Sequence, residues 1–205
     1  MSISPGQAAA ALQDIAQTER RTRDSNGYAA ASPYLVLWGL VWMLGYVGCY
    51  LMPMDRWGLV WLPLIVVGTA ASAWLGSRAW RRFPGGVAGS VAGSVAGSVA
   101  GSGMAKSGPQ SLLMAAAVAI FMGATYALFR PREALPYLVF PVLTMALVYS
   151  LAGILARLPR FVWIGAGVLA LTMTGALAFP AKAALWAAFA GGGGLVLGGL
   201  WLRKV

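Results

Sequence analysis

Pro33-Tyr34-Leu35-Val36-Leu37-Trp38-Gly39-Leu40-Val41-Trp42-Met43-Leu44-Gly45-Tyr46-Val47-Gly48-Cys49-Tyr50-Leu51-Met52 is a run of twenty residues without a charge. That is the length a helix needs to cross a hydrocarbon core of roughly 30 Å. Pro53-Met54-Asp55-Arg56 follows at once, and then a second charge-free run, 57–74. Four more succeed it, at 112–129, 135–155, 161–179 and 183–202, and none of the six contains Asp, Glu, Lys, Arg or His. All 15 basic and 5 acidic residues therefore lie outside the runs. The chain is 60% hydrophobic and 10% charged, against roughly 45 to 50% and about 25% in a soluble domain. The fold class expected is an all-α integral membrane protein, a six-transmembrane-helix bundle in one domain, 31–205.

The links between the runs constrain the bundle. Residues 53–56 and 158–160 leave no slack, so helices 1 and 2, and helices 4 and 5, must be antiparallel neighbours. The one long link, 83–109, is built on Val-Ala-Gly-Ser repeated four times from Val87 to Ser102, a flexible composition with too little apolar area to fold alone, so a disordered low-complexity loop is expected there. Ahead of the first run, Ser4-Pro5-Gly6-Gln7 reads as a capped helix start. Ala8, Ala11, Leu12, Ile15 and Ala16 then recur at helical spacing. Residues 1–30 are expected to hold a short amphipathic helix, ending near Arg23, that lies on the membrane surface or against a partner. The first run begins too late and is too long for a cleaved signal peptide, and reads as a retained helix.

Basic residues set the orientation. With both ends of an even number of crossings on one side, that side holds Arg20, Arg21, Arg23, Arg78, Arg81, Arg82, Lys106, Arg157, Arg160, Arg203 and Lys204, together with Asp14, Glu19 and Asp24. The other side holds Arg56, Arg130, Arg132 and Lys182, with Asp55 and Glu133. Eleven basic residues against four place both termini in the cytoplasm of a bacterial-type inner membrane. The net charge of +10 is then a topology signal, and nucleic acid is not an expected partner. Anionic lipids at the cytoplasmic face are.

Two halves can be aligned at an offset of 103. Pro33-Tyr34-Leu35-Val36 meets Pro136-Tyr137-Leu138-Val139, Leu44 meets Leu147 and Tyr46 meets Tyr149. A three-helix unit repeated in this way gives 3+3 inverted halves, an arrangement used by many transporters; coincidence among membrane-biased residues is the competing explanation.

Few groups could carry chemistry. Trp38, Trp42, Tyr46 and Tyr50 fall on one face of helix 1 and could line a solute path through stacking and cation–π contacts, or simply pack. Gly191, Gly192, Gly193 and Gly194, followed by Gly198 and Gly199, weaken helix 6. Gly194 and Gly198 form a GxxxG pair suited to close helix packing, in this bundle or with a second copy, while the four-glycine run could instead break the helix and line a site. Pro63 and Pro141 are candidate kinks. Cys49, Met52 and Met54 are weak candidates for a soft metal site, with no second Cys and no His in support; no cofactor is expected. Without intramembrane carboxylates or His, catalysis and strong ion coupling are disfavoured, and the chain is not expected to be an enzyme. Two functions remain. One is a small-solute permease or the membrane subunit of a transporter, with Trp38, Trp42, Tyr46, Tyr149 and Gly191 to Gly194 on the path and hydroxyls such as Thr125, Tyr126, Thr144, Ser150 and Thr172 supplying polarity. The other is a non-transporting protein that docks or regulates a partner through the N-terminal helix and the basic face. A homo-oligomer or a partner membrane subunit fits either.

Overall fold

The computed structural model describes residues 5–82 and 108–204, and among them there is no strand. The helices are α1 (Pro5–Leu51), α2 (Trp57–Arg82), α3 (Gly108–Phe129), α4 (Ala134–Leu155), α5 (Pro159–Ala178), α6 (Ala183–Ala187) and α7 (Gly194–Leu202), the last two joined by a π-helical stretch, Ala188–Gly193. Five segments are long and apolar enough to cross a membrane: Gly27–Leu51, Met54–Arg78, Ala134–Leu155, Pro159–Ala178 and Pro180–Leu202. In α3 the described apolar segment is the shorter Ala116–Phe129. The Ser4 cap and the Val-Ala-Gly-Ser loop lie outside the described residues.

The first helix differs from the sequence reading. The sequence predicts a short helix ending near Arg23 and a first span starting at Pro33; α1 instead runs through both for 47 residues, about 70 Å at 1.5 Å per residue. The reason is tertiary. Tyr28, Ala31, Ser32 and Leu35 are buried, so packing holds 24–32 helical despite Ser25, Asn26 and Gly27, whose own preferences are poor. The buried stripe of α1 continues through Trp38, Trp42 and Tyr46, a three- and four-residue spacing that presents one face to the bundle.

The last rod, Pro180–Leu202, is central. It runs antiparallel to α1, with Gly199 against Ser32 and Val36 and Gly192 against Gly39 and Met43. Its other sides meet α5, through Gly198 on Ile164 and Gly194 on Val168, and α4, through Gly191 on Val142. α1 pairs with α2 and α5 with α4, each antiparallel, as the short links demand. α3 leans on α4 through Phe121 on Phe140 and Tyr126 on Tyr137. The last rod thus meets α1, α5 and α4 together, while α2 packs on α1 and α3 on α4.

The turn between α4 and α5 shows how one link is fixed. Arg157 takes a left-handed conformation, φ 57°, its amide donates to the Ile154 carbonyl at 3.2 Å, and the Leu158 amide donates to Gly153 at 2.8 Å. This is the Schellman pattern that satisfies the last carbonyls of a helix. Pro159 then opens α5 at the first helical position, where its missing N–H costs nothing.

Candidate functional site

The aromatic wall of α1 packs inward. Trp38 donates its indole N–H to the Ser72 hydroxyl of α2 at 3.1 Å. Trp42 and Tyr46 meet edge to face, with ring centroids 5.9 Å apart, and Tyr46 meets Trp61 of α2 in the same way at 5.2 Å. These are favourable aromatic geometries, and all three α1 side chains are buried. Tyr50, on the same sequence stripe, is exposed. Tyr149 does not join them. It stacks on Phe161 at 6.4 Å, and Phe161 stacks on Tyr28 at 6.1 Å, which places it at the opposite end of the bundle.

The glycine run is wound rather than broken. From Ala188 to Gly193 the backbone closes wider turns, and the Gly194 amide reaches back to the Phe189 carbonyl. Gly191 and Gly192 are buried at helix crossings: a Cβ on Gly192 would lie 2.6 Å from the Met43 amide nitrogen and 2.7 Å from the Gly39 carbonyl oxygen. Gly193 is different, since the nearest atom to its Cβ position, on Phe189, is 3.9 Å away. Gly194 and Gly198 both face α5, where added Cβ atoms would come within 2.9 Å of Val168 and Ile164. Gly39 was not singled out by sequence, because a lone glycine in α1 carries no pattern until its partner Gly192 is placed opposite it.

Most hydroxyls that could line a path bond within their own helices. Thr125, Thr144, Ser150, Thr172 and Thr174 each donate to the carbonyl four residues back, at 2.6 to 2.9 Å, a common way of satisfying a hydroxyl in lipid. The Tyr126 hydroxyl is buried and has no hydrogen-bond partner among the described residues. Its ring lies between Tyr137, at 4.7 Å, and Phe140, at 5.6 Å.

At the end of the bundle near Asp55, Cys49 is buried and its sulfur accepts the Trp61 N–H at 3.2 Å, while its carbonyl accepts from Trp57 at 3.1 Å. Met52 and Met54 are exposed. Among the described residues no three His, Cys, Asp or Glu side chains come together as a metal site would need.

The opposite end gathers Arg78, Arg157, Arg160, Arg203 and Lys204. Ser32, buried, donates to the Gly199 carbonyl at 2.7 Å and accepts from Arg203 Nε at 2.9 Å. The Arg160 guanidinium lies over Tyr28 at 5.4 Å and over Trp201 at 5.0 Å, within cation–π range. Arg78 sits 3.8 Å above Trp74. Beyond this end, residues 5–26 extend as the outer part of α1, with Gln13, Asp14, Ile15, Gln17 and Thr18 exposed. Sequence reasoning put these basic residues on one side; it did not find that Tyr28, Ser32 and Trp201 fix two of them in place.

The chain matches no protein family model, no curated protein and no solved structure.

Proposed function

We infer that this multi-pass membrane protein docks a partner protein through the outer part of α1 and the basic end of its bundle. The observation that carries this reading is the continuity of α1 from Pro5 to Leu51. One rod joins the aromatic core to a segment that leaves the bundle by about 33 Å over 22 residues, so whatever holds that segment is mechanically coupled to the bundle. Helices in proteins draw most of their stability from packing an amphipathic face, and the exposed Ile15 lies on the stripe of Ala8, Ala11, Leu12 and Ala16, a face suited to a partner helix. With the basic end in the cytoplasm and α3 as a sixth crossing, the docked partner is cytoplasmic or has a cytoplasmic domain. Crosslinking in intact cells through a photoreactive group at Ile15, followed by purification, tests it. A discrete protein adduct from Ile15, absent when the group is placed instead at Leu44, exposed within the membrane span, is expected; crosslinks to lipid alone would contradict it.

A specific observation also favours the permease reading. The third helix of each half of the alignment packs on the first helix of the other, α3 on α4 and the last rod on α1, as inverted halves would exchange them. Tyr46 and Tyr149, the aligned pair, each meet an aromatic ring early in the next helix, Trp61 and Phe161. The unpartnered Tyr126 hydroxyl would then be the group that contacts a solute. Flux of neutral or cationic solutes into proteoliposomes, lost in Tyr126→Phe, would support this second reading; absence of flux for every solute leaves docking as the function.

A further inference from the structure

We propose that Arg160 and Arg203 form a binding site for the phosphate group of an anionic phospholipid at the basic end of the bundle. Arg160 is the second residue of α5, and Arg203 follows the last residue of α7. Both are anchored on one terminal turn. Arg160 Nη1 makes a long contact of 3.5 Å to the Trp201 carbonyl with its guanidinium against the Tyr28 and Trp201 rings, while Arg203 is held through Nε by Ser32. The groups that hold them are neutral: two aromatic rings, a hydroxyl and a carbonyl. Among the described residues no carboxylate pairs with either arginine, and Tyr28 and Ser32, which contact Arg160 and Arg203, are one helical turn apart on α1.

A guanidinium fixed at one nitrogen or across one face keeps other N–H groups for bidentate contact with phosphate oxygens. Prior fixation also reduces the side-chain entropy lost when an anion binds. The neighbourhood selects a lipid over a free anion. Leu197, Leu200 and Trp201 are exposed at the spacing of one helix face immediately before Arg203, so an acyl chain can lie along this stripe with its phosphate at the arginines. Trp201 at the end of a span is where interfacial aromatic residues sit, at headgroup depth. The site shares the basic end with the docking reading but uses no residue before Tyr28, so loss of the outer part of α1 would abolish docking and leave the lipid site in place.

The test measures lipid retention by native mass spectrometry of the full chain in detergent, after addition of phosphatidylglycerol or phosphatidylcholine at equal concentration. Roughly tenfold preferential retention of phosphatidylglycerol is expected, reduced to parity in the double variant Arg160→Gln, Arg203→Gln and unchanged in Arg56→Gln, Arg132→Gln at the other end. Excess inorganic phosphate should leave bound phosphatidylglycerol in place; complete displacement would mean a free-anion site and overturn the lipid assignment. Equal retention of the two lipids by the unaltered chain, or a preference that survives in the double variant, overturns the proposal. If the double variant does not fold, Arg160→Gln and Arg203→Gln are read singly, and a preference undiminished in both overturns the proposal.

Discussion

Trp38 and Ser72 are separated by 34 positions in sequence and joined by one hydrogen bond between α1 and α2. In lipid the indole N–H has no water to replace that partner, so Ser72→Ala should destabilise the folded bundle by about 1 kcal/mol, near the usual value for such bonds between membrane helices. Denaturant titration in mixed micelles would read this, and a double cycle with Trp38→Phe should recover most of the loss as coupling between the two sites. Arg157 offers the opposite change. Its φ of 57° lies where a side chain costs roughly 1 to 2 kcal/mol and glycine very little. Arg157→Gly is therefore expected to raise stability, and Arg157→Val to lower it, in the same titration. The aromatic residues of α1 were legible in the sequence as one face, but their role was not. Stacking on a solute and stacking on Trp61 require the same residue types at the same spacing, and only the position of α2 separates the two.

The π-helical stretch between α6 and α7 allows a comparison of adjacent glycines. Gly192→Ala would press a methyl group into the backbone of α1 at Gly39 and Met43, whereas Gly193→Ala would meet nothing closer than 3.9 Å. The first should cost about 1 to 3 kcal/mol through forced separation of the helices; the second should be neutral or stabilising by up to about 1 kcal/mol, the propensity gained over glycine. Equal effects in a thermal unfolding assay would contradict this crossing. The pair Gly194 and Gly198 was readable as GxxxG, and both face α5. The crossing of Gly192 with Gly39 was not, because a closest approach is set by where two helices meet and leaves no period in either one. The continuity of α1 between Arg23 and Pro33 was not legible for a related reason: the burial of Tyr28, Ala31 and Ser32 against the rest of the bundle holds these turns in the helix, and that contact leaves no local signal.

At the scale of the whole molecule, charge-free runs and two charged ends were readable because the bilayer imposes length and charge placement on any chain that crosses it. The packing of the last rod against α1, α5 and α4 together was not, since similar apolar faces can pair in several ways and small residues choose among them only on contact. Placing both termini in the cytoplasm predicts that a cysteine at Lys204, in a Cys49→Ser background, is labelled by an impermeant maleimide only after cells are opened, whereas one at Asp55 is labelled in intact cells. The central feature of the molecule is α1, one rod that carries its outer part away from the bundle. Electron–electron resonance between spin labels at Ile15 and Leu44, both exposed, in the same background and in lipid nanodiscs measures this directly. A continuous helix predicts a narrow distance distribution at about 44 Å. A surface-lying segment bent near Pro33 would give about 32 Å, from the same rise per residue along two perpendicular arms, and that result would contradict it.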